Sequence, residues 1–485
     1  MQMPHIIWPQ WLPFLIPLIG GIGVLLFDVF SNPESSRKAC PAGAVATCLL
    51  ALIALYKVFA DVAAAPAYLP AEYPVFMISQ FSRDCIGIIL LGAALLLTLS
   101  PRGIAGKNIR AGEYYGLFLL SVLGMMLMAA SVELLTLFIC LELASLSIYV
   151  LIGIEKSNAN SGEAALKYFV LGSFASAFLI FGAAFFYGHA RTTFLISESH
   201  QLVIQGIAPY IALGLILVGL AFKLALAPFH LYAPEVYDGA PTPVSALLAT
   251  GIKVAGFCVL AQALVELRRW DALDQGATWA LVLLALASVI IGNCVALVQR
   301  RIKRLLAYSS IAHSGYLLLG IVVLSDVAQV GTPQLALTAI SVYLLAYTLM
   351  NVVSFGVASS LGGRFEEELS NYAGLAKSHP FMAAALTVSL ISLTGLPPTV
   401  GFIGKFYVFA EAAKTSYIFA VAVAVVFSVL SAFYYLNIVM KMYMQEQEEG
   451  APGVERTLAC DVALGVSMAL ILLLGIAPGL LFWMM

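Results

Sequence analysis

Residues 218–257, VGLAFKLALAPFHLYAPEVYDGAPTPVSALLATGIKVAGF, place two lysines, Lys223 and Lys253, inside apolar runs long enough to cross a bilayer. Between them lie Pro228 and a polar, proline-rich turn. A lysine at the centre of a membrane span costs about 2.5–3.5 kcal/mol on insertion scales, and ionisable groups kept there are as a rule functional. Two in consecutive spans point to side chains that exchange protons.

The rest of the chain has the composition such lysines need. Of its 485 residues, 62% are hydrophobic and 10% charged, against roughly 25% charge in a soluble domain. That much apolar surface does not fit in a water-soluble core, so an integral membrane protein is expected. The first apolar segment lacks a basic flank and a small-residue cleavage site, and reads as a retained helix. The seven cysteines (Cys40, Cys48, Cys85, Cys140, Cys258, Cys294, Cys460) form no CxxC pair and read as small buried hydrophobes. Iron–sulfur, haem, Walker and dinucleotide signatures are missing, so no cofactor, metal or nucleic-acid site is expected in this chain. Gly20, Gly21 and Gly23 fall inside the first span and read as close-packing positions.

Counted by length, the apolar runs give about fourteen spans: near 7–30, 39–60, 83–100, 114–130, 132–153, 162–188 and 208–229, then 240–266, 275–298, 302–324, 333–359, 381–412, 415–444 and 457–484. Odd-numbered loops carry Arg37, Lys38, Arg102, Lys107, Arg110, Lys156, Arg300, Arg301, Lys303, Arg304, Arg364, Lys377, Lys441 and Arg456. Even loops and span ends hold only Lys57, Arg83, Arg191, Arg268, Arg269 and Lys414. The positive-inside rule then makes the odd loops cytoplasmic and puts both termini on the outer, periplasmic face. Four basic residues remain, and all lie inside spans: Lys167, Lys223, Lys253 and Lys405.

An internal repeat accompanies them. The seventh span carries Lys223 and is interrupted by Pro228; the twelfth carries Lys405 in LTGLPPTVGFIGKF and is interrupted by Pro397 and Pro398. Proline breaks the hydrogen-bond ladder, which is tolerated at membrane depth only where the freed carbonyls face protein or a wet cavity. The two broken spans are five apart, and an odd repeat length inverts the second copy. The expected architecture is therefore an all-α polytopic protein with two inverted five-helix repeats, each containing a proline-broken helix. Its parts are 1–112 (helices 1–3), 113–270 (helices 4–8), 271–445 (helices 9–13) and 446–485 (helix 14).

Among the acids, Glu142 lies near the centre of the fifth span. Glu133, nine residues earlier, is roughly 180° away around the helix; at the span's start it suits a capping role. Lys167 is near enough to the start of the sixth span to snorkel, and is counted with the proton path alongside the more central Lys223, Lys253 and Lys405. The tenth span, repeat partner of the fifth, has no carboxylate. It offers Ser309, His313 and Tyr316 on one face, and His313 suits proton relay. His230, just past Pro228, is a secondary candidate; His5, His189, His200 and His379 sit in loops or at ends. Burial penalises an ammonium, while a carboxylate 4 Å away stabilises it by about 4 kcal/mol at an effective dielectric of 20. Separating or neutralising such a pair is enough to move a charge against 100 mV, which takes about 2.3 kcal/mol.

Three stretches, FKLALAPFHLYAPEVYDGAPTPVSALLA, RRIKRLLAYSSIAHSGYLLLG and LTGLPPTVGFIGKFYVF, closely resemble the antiporter-like subunits of respiratory complex I. The likeness is nearest to the subunit N type of the bacterial NADH–quinone oxidoreductase, counterpart of mitochondrial NADH dehydrogenase subunit 2, and is strongest from Leu141 to Phe409. Lys405 stands where the M type has a glutamate, and the L type's long lateral helix does not follow. The resemblance implies that Glu142 pairs with Lys223 and that Lys167 modulates the pair. It makes Lys253 the connecting lysine, His313 part of the central axis and Lys405 the lysine of the second half-channel. It further implies that NADH, FMN, iron–sulfur clusters and quinone are handled by other subunits of the enzyme, in the bacterial inner membrane, and that this chain moves protons. The implied neighbours are K- and M-type subunits and the lateral helix of the L type. A multi-subunit Mrp-type cation/proton antiporter, an F420H2- or ferredoxin-type quinone oxidoreductase, and a purely structural scaffold are the competing readings.

Overall fold

The computed structural model describes residues 8–60, 67–69, 75–104, 108–195, 207–269, 275–325, 333–361, 368–446 and 457–484. Lys107, Arg364, Arg456, His5 and His200 lie outside them. Two compact units are present, one made of Met1–Ala94, Asn108–Leu224 and Gly251–Thr278, the other of Leu95–Lys107, Ala225–Thr250 and Trp279–Met485.

The first unit opens with α1 (Trp8–Phe30) and α2 (Pro33–Val58), followed by a hairpin of β1 (Ala67–Leu69) and β2 (Phe76–Ile78). This hairpin is a small exception to the expected all-helical chain. Then come α3 (Gln80–Gly103), whose last turns belong to the second unit, α4 (Ala111–Ala130), α5 (Leu134–Ile152), α6 (Ala159–Ala190) and α7 (Ala208–Lys223). In the second unit, α8 (Ala233–Gly239) and α9 (Thr242–Ala249) precede α10 (Gly251–Arg269), which returns to the first. The chain continues through α11 (Gln275–Ala296), α12 (Ile302–Val322), α13 (Pro333–Leu361), α14 (Leu375–Ser378), α15 (Pro380–Thr394), α16 (Val400–Ala412), α17 (Ile418–Met444), α18 (Leu458–Ile476) and α19 (Gly479–Met484).

Among the described residues, twelve helical segments are long and apolar enough to cross a membrane, with α9 and α10 counted together. The apolar helices α7 and α15 are shorter, and they fall where the two interrupted spans were expected. In a 30 Å hydrocarbon layer about 20 residues are needed, so a 16- or 15-residue helix leaves its last carbonyls short of the far interface.

Both interruptions begin before their prolines. Helix α7 ends at Lys223 and the chain turns at Ala225, which adopts a left-handed φ of 52°. Helix α15 ends at Thr394, with Gly395 at φ 87° as its cap. The Ala227–Pro228 and Pro397–Pro398 bonds are cis, and all three prolines are exposed. A third interruption, which the sequence pattern does not announce with a proline, divides the eighth span at Thr250, two residues before Ile252 and three before Lys253.

Local chemistry explains the remaining boundaries. Chain exit from α4 at Ser131 and entry to α5 at Glu133 match the expected break, and Glu133 is the cap of α5: its carboxylate accepts from Leu135 N at 3.1 Å and Thr136 N at 2.6 Å. Such a cap satisfies two of the helix's four unpaired amides. In the first unit, Gly20 lets α1 approach Thr47 of α2, where a Cβ would collide; Gly23 faces open space, so close packing does not account for it. In the second unit, Gly401 brings the start of α16 against the Ser392 carbonyl at the end of α15, leaving no room for a Cβ. Arg102, counted above as a loop charge, is instead a buried staple that donates to Ser360 Oγ, Thr457 O and Asp461. Arg83 is likewise buried and paired with Asp84 at 3.0 Å, and Lys303 donates to Ala240 O at 2.9 Å.

Candidate functional site: a buried lysine beside each broken helix

The first unit gathers Glu142, Ser145, Tyr149, Ser176 and Lys223. Glu142, Ser145 and Tyr149 recur at i, i+3 and i+7 along α5 and share a face. Ser176 of α6 donates a short hydrogen bond to Glu142. Lys223, the last residue of α7, is 2% exposed. Its Nζ donates to Ser145 Oγ at 2.8 Å and Tyr149 Oη at 3.3 Å. The ammonium also lies 5.6 Å from the ring centroids of Tyr149 and Tyr168, within cation–π range.

Glu142 and Lys223 therefore bond to hydroxyls rather than to each other, in place of the direct 4 Å pair assumed from the sequence. The difference matters chemically. A hydroxyl both donates and accepts, so Ser145, which now donates to Leu141 O, can serve Lys223 as ammonium or, after rotation, as amine.

Lys167 forms an ion pair with Glu163 one turn earlier at 2.7 Å, on a partly exposed face. Lys253 is 1% exposed on α10. That helix packs on the end of α7, where a Cβ at Gly256 would press on Leu224.

The second unit gathers Lys405, His313, Tyr316 and Ser309. Lys405, 4% exposed on α16, points back at the broken end of α15. Its three N–H groups go to Leu393 O at 2.8 Å, Thr394 O at 2.9 Å and Ser428 Oγ at 2.9 Å. Those carbonyls are among the four that every helix leaves unpaired at its C-terminus, the negative end of its dipole. The lysine thus replaces the hydrogen bonds that the break removes. Its Nζ also stands 5.1 Å over the Tyr316 ring. An apolar cavity of about 480 Å3, bordered by Phe402, Phe406, Phe409, Val425 and Val429, reaches Lys405 and Ser428.

From Tyr316 the polar groups run on. Its hydroxyl accepts from Asn293 Nδ2 at 2.9 Å, and Tyr434 donates to Asn293 Oδ1 at 3.1 Å. Tyr435 and Ser309 share a short hydrogen bond. His313, 1% exposed, bonds Tyr343 Oη through Nδ1 at 2.8 Å and meets Tyr316 edge-on at 5.5 Å. His230 is 7% exposed, and its Nδ1 has no partner among the described residues.

The sequence reading missed Ser145, Tyr149 and Ser176 in one unit and Asn293, Tyr343, Ser428, Tyr434 and Tyr435 in the other. For Ser145 and Tyr149 the signal was available, since both share the stripe of Glu142. The others meet the site only through contacts between distant helices. Among the described residues, no three His, Cys, Asp or Glu side chains gather as a metal site would require.

These features agree with comparisons to known proteins. A family model described as NADH:quinone oxidoreductase/Mrp antiporter, transmembrane, matches residues 131–431. NADH-quinone oxidoreductase subunit N 1 of Thermodesulfovibrio yellowstonii is 45% identical over 74% of this chain and 76% of its own length. Subunit N of Desulfovibrio desulfuricans is 36% identical over 98% and 95%. Among solved structures, a chain of respiratory complex I from Thermus thermophilus with bound aureothin superposes with TM-score 0.81 at 33% identity, covering 96% of this chain and 98% of that one. A chain of the Mrp complex from a Dietzia species shares the fold (TM-score 0.83, 22% identity, 97% and 95% covered). With two interrupted helices and a buried lysine beside each, the chain belongs to the NADH:quinone oxidoreductase/Mrp antiporter transmembrane family, among the proteins named NADH-quinone oxidoreductase subunit N.

Proposed function

We propose that this chain, a proton-translocating membrane subunit of an NADH-quinone oxidoreductase, moves protons by switching the charge of Lys223, Lys253 and Lys405. The observation that carries the proposal is the pair of lysines buried beside the broken helices, each held by groups that distinguish ammonium from amine. Glu142 is the acid that biases Lys223. When Glu142 is ionised, the field at the end of α7 favours ammonium, with Ser145 and Tyr149 accepting its hydrogens. When Glu142 is protonated, burial disfavours the cation, and Ser145 can turn its hydroxyl toward the amine. In the second unit Lys405 exchanges with Ser428, which already accepts its third N–H. His313 is the relay of the second unit, Tyr316 and Ser309 are secondary groups on separate branches of its polar network, His230 is a further candidate, and Lys167 tunes the first unit through Glu163.

The redox chemistry is assigned to partner subunits that hold NADH, FMN, iron–sulfur clusters and quinone. K- and M-type subunits and the lateral helix of an L-type subunit are the proposed neighbours. Glu142 and Lys167 both sit on partly exposed surface of the first unit, where ionisable groups cannot remain against lipid; a neighbouring membrane subunit there meets that need. Both termini are proposed to face the periplasm, with residues 113–270 and 271–445 as the inverted repeats.

The test is replacement of Glu142 or Lys223 by alanine in the intact complex. The expected result is assembly with flavin and iron–sulfur subunits, but loss of proton movement and of coupled NADH oxidation. Normal assembly with normal pumping would refute the proposal, and cation-dependent proton flux without any redox partner would favour an antiporter.

A further inference from the structure

We infer that Asn293 is a proton insulator set between two polar segments of the second unit, and that its carboxamide keeps a proton on one segment from reaching the other. This rests on the reading of Lys405 as part of the proton path and adds a residue that must not conduct.

The orientation of the amide follows from its surroundings. One end of the Asn293 side chain lies 2.8 Å from Val289 O, a carbonyl that only accepts, so this end is the NH2 group. Its other hydrogen goes to Tyr316 Oη at 2.9 Å. The opposite end is the carbonyl oxygen, which accepts from Tyr434 Oη at 3.1 Å. Asn293 is fully buried, and both amide hydrogens are engaged.

On one side of it, Lys405 Nζ stands 5.1 Å over the Tyr316 ring and donates to Ser428 Oγ at 2.9 Å. On the other, the Tyr434 ring packs 4.3 Å from that of Tyr435, which bonds Ser309. Every group in these two segments is a hydroxyl or an amine and can release one proton as it takes another. The amide cannot do so at comparable cost. A proton arriving at Oδ1 from Tyr434 would have to be matched by loss of an Nδ2 hydrogen to Tyr316. That leaves an imidic acid in place of the resonance-stabilised amide, and the amide must be restored before a second proton follows. A carboxylic acid has no such asymmetry: one oxygen takes the proton, the other gives its own up, and the product is again a carboxylic acid.

The position is therefore one where a conservative change should open a path. In vesicles carrying the whole complex, the Asn293→Asp variant is expected to move fewer protons per NADH oxidised, with NADH oxidation retained, and to let an imposed proton gradient decay several-fold faster. Asn293→Leu, which blocks transfer as the amide does, should keep the wild-type ratio. Adding Tyr434→Phe to Asn293→Asp should restore tightness by removing the donor. Should Asn293→Asp fail to assemble, Asn293→Ser supplies a hydroxyl in its place and is expected to leak likewise. An assembled Asn293→Asp or Asn293→Ser complex with wild-type coupling would overturn the inference. So would an assembled Asn293→Leu complex that no longer pumps, because the amide would then be a relay. Lys405→Met separates the two levels of the argument. A leak in Asn293→Asp that persists with Lys405→Met keeps the insulator but removes Lys405 from the path. No leak in Asn293→Asp itself, together with lost pumping in Lys405→Met alone, does the reverse.

Discussion

Lys223 and Lys405 are equally buried, yet they are held by different chemistry. Lys223 touches hydroxyls and aromatic faces, whereas Lys405 closes the end of a helix with two backbone carbonyls. Removing Lys405 is therefore expected to cost structure as well as the proposed proton movement. Lys405→Met should destabilise the purified complex, because a buried acceptor that loses its donor costs about 1–3 kcal/mol; Lys405→Arg keeps donors for the same carbonyls and should recover part of that loss in thermal unfolding. If the two variants unfold alike, the capping role is wrong. Ser145→Ala leaves Lys223 with Tyr149 alone, and is expected to slow coupled turnover while the complex still assembles. Unchanged turnover would show that the hydroxyl has no part in the switch. The lysines themselves were legible in the sequence because charge in an apolar run stands out. Of their side-chain partners, Ser145 and Tyr149 were signalled by the stripe they share with Glu142, whereas Ser428 looks ordinary until a neighbouring helix brings it to an amine.

At the level of elements, the prolines correctly marked α7 and α15 as interrupted, but misplaced the first break. Helix α7 stops five residues short of Pro228, at the left-handed Ala225, and the discontinuity at Thr250 has no proline at all. Proline forbids a helix from passing through it but does not say where the preceding turns give way. The junction of α15 and α16 depends on Gly401, where Gly401→Ala should force the two segments apart and shift Lys405 off its carbonyls. The expected cost is about 1–3 kcal/mol, with loss of pumping; a stable, fully active Gly401→Ala complex would contradict this. The cap of α5 gives a prediction in pH. Burial acts to raise the Glu133 carboxyl, but bonds from Thr136, Thr193 and the amides of Thr136 and Leu135 outweigh it and hold the group below the ordinary glutamate value. A depressed folded value means stability that is present at neutral pH and lost as pH falls through it. Glu133→Gln should thus be less stable at pH 7, by about 0.5–2 kcal/mol, and the gap should close as pH drops below about 4. A gap independent of pH would remove the charge from the explanation.

For the whole molecule, composition and apolar run length were enough to establish a polytopic helical membrane protein, and three motifs were enough for its family. The charge census gave less than it promised, because Arg83, Arg102 and Lys303 are engaged in buried contacts and their positions reflect packing as much as topology. The buried amines are proposed to carry the proton by changing charge. Arginine keeps its charge at all accessible pH, so Lys223→Arg separates holding a cation from releasing a proton. The decisive measurement is protons moved per NADH oxidised in vesicles containing the assembled Lys223→Arg complex, with the wild type alongside. The account predicts an assembled complex with proton movement lost and NADH oxidation severely slowed; wild-type proton movement from a residue unable to deprotonate would contradict it.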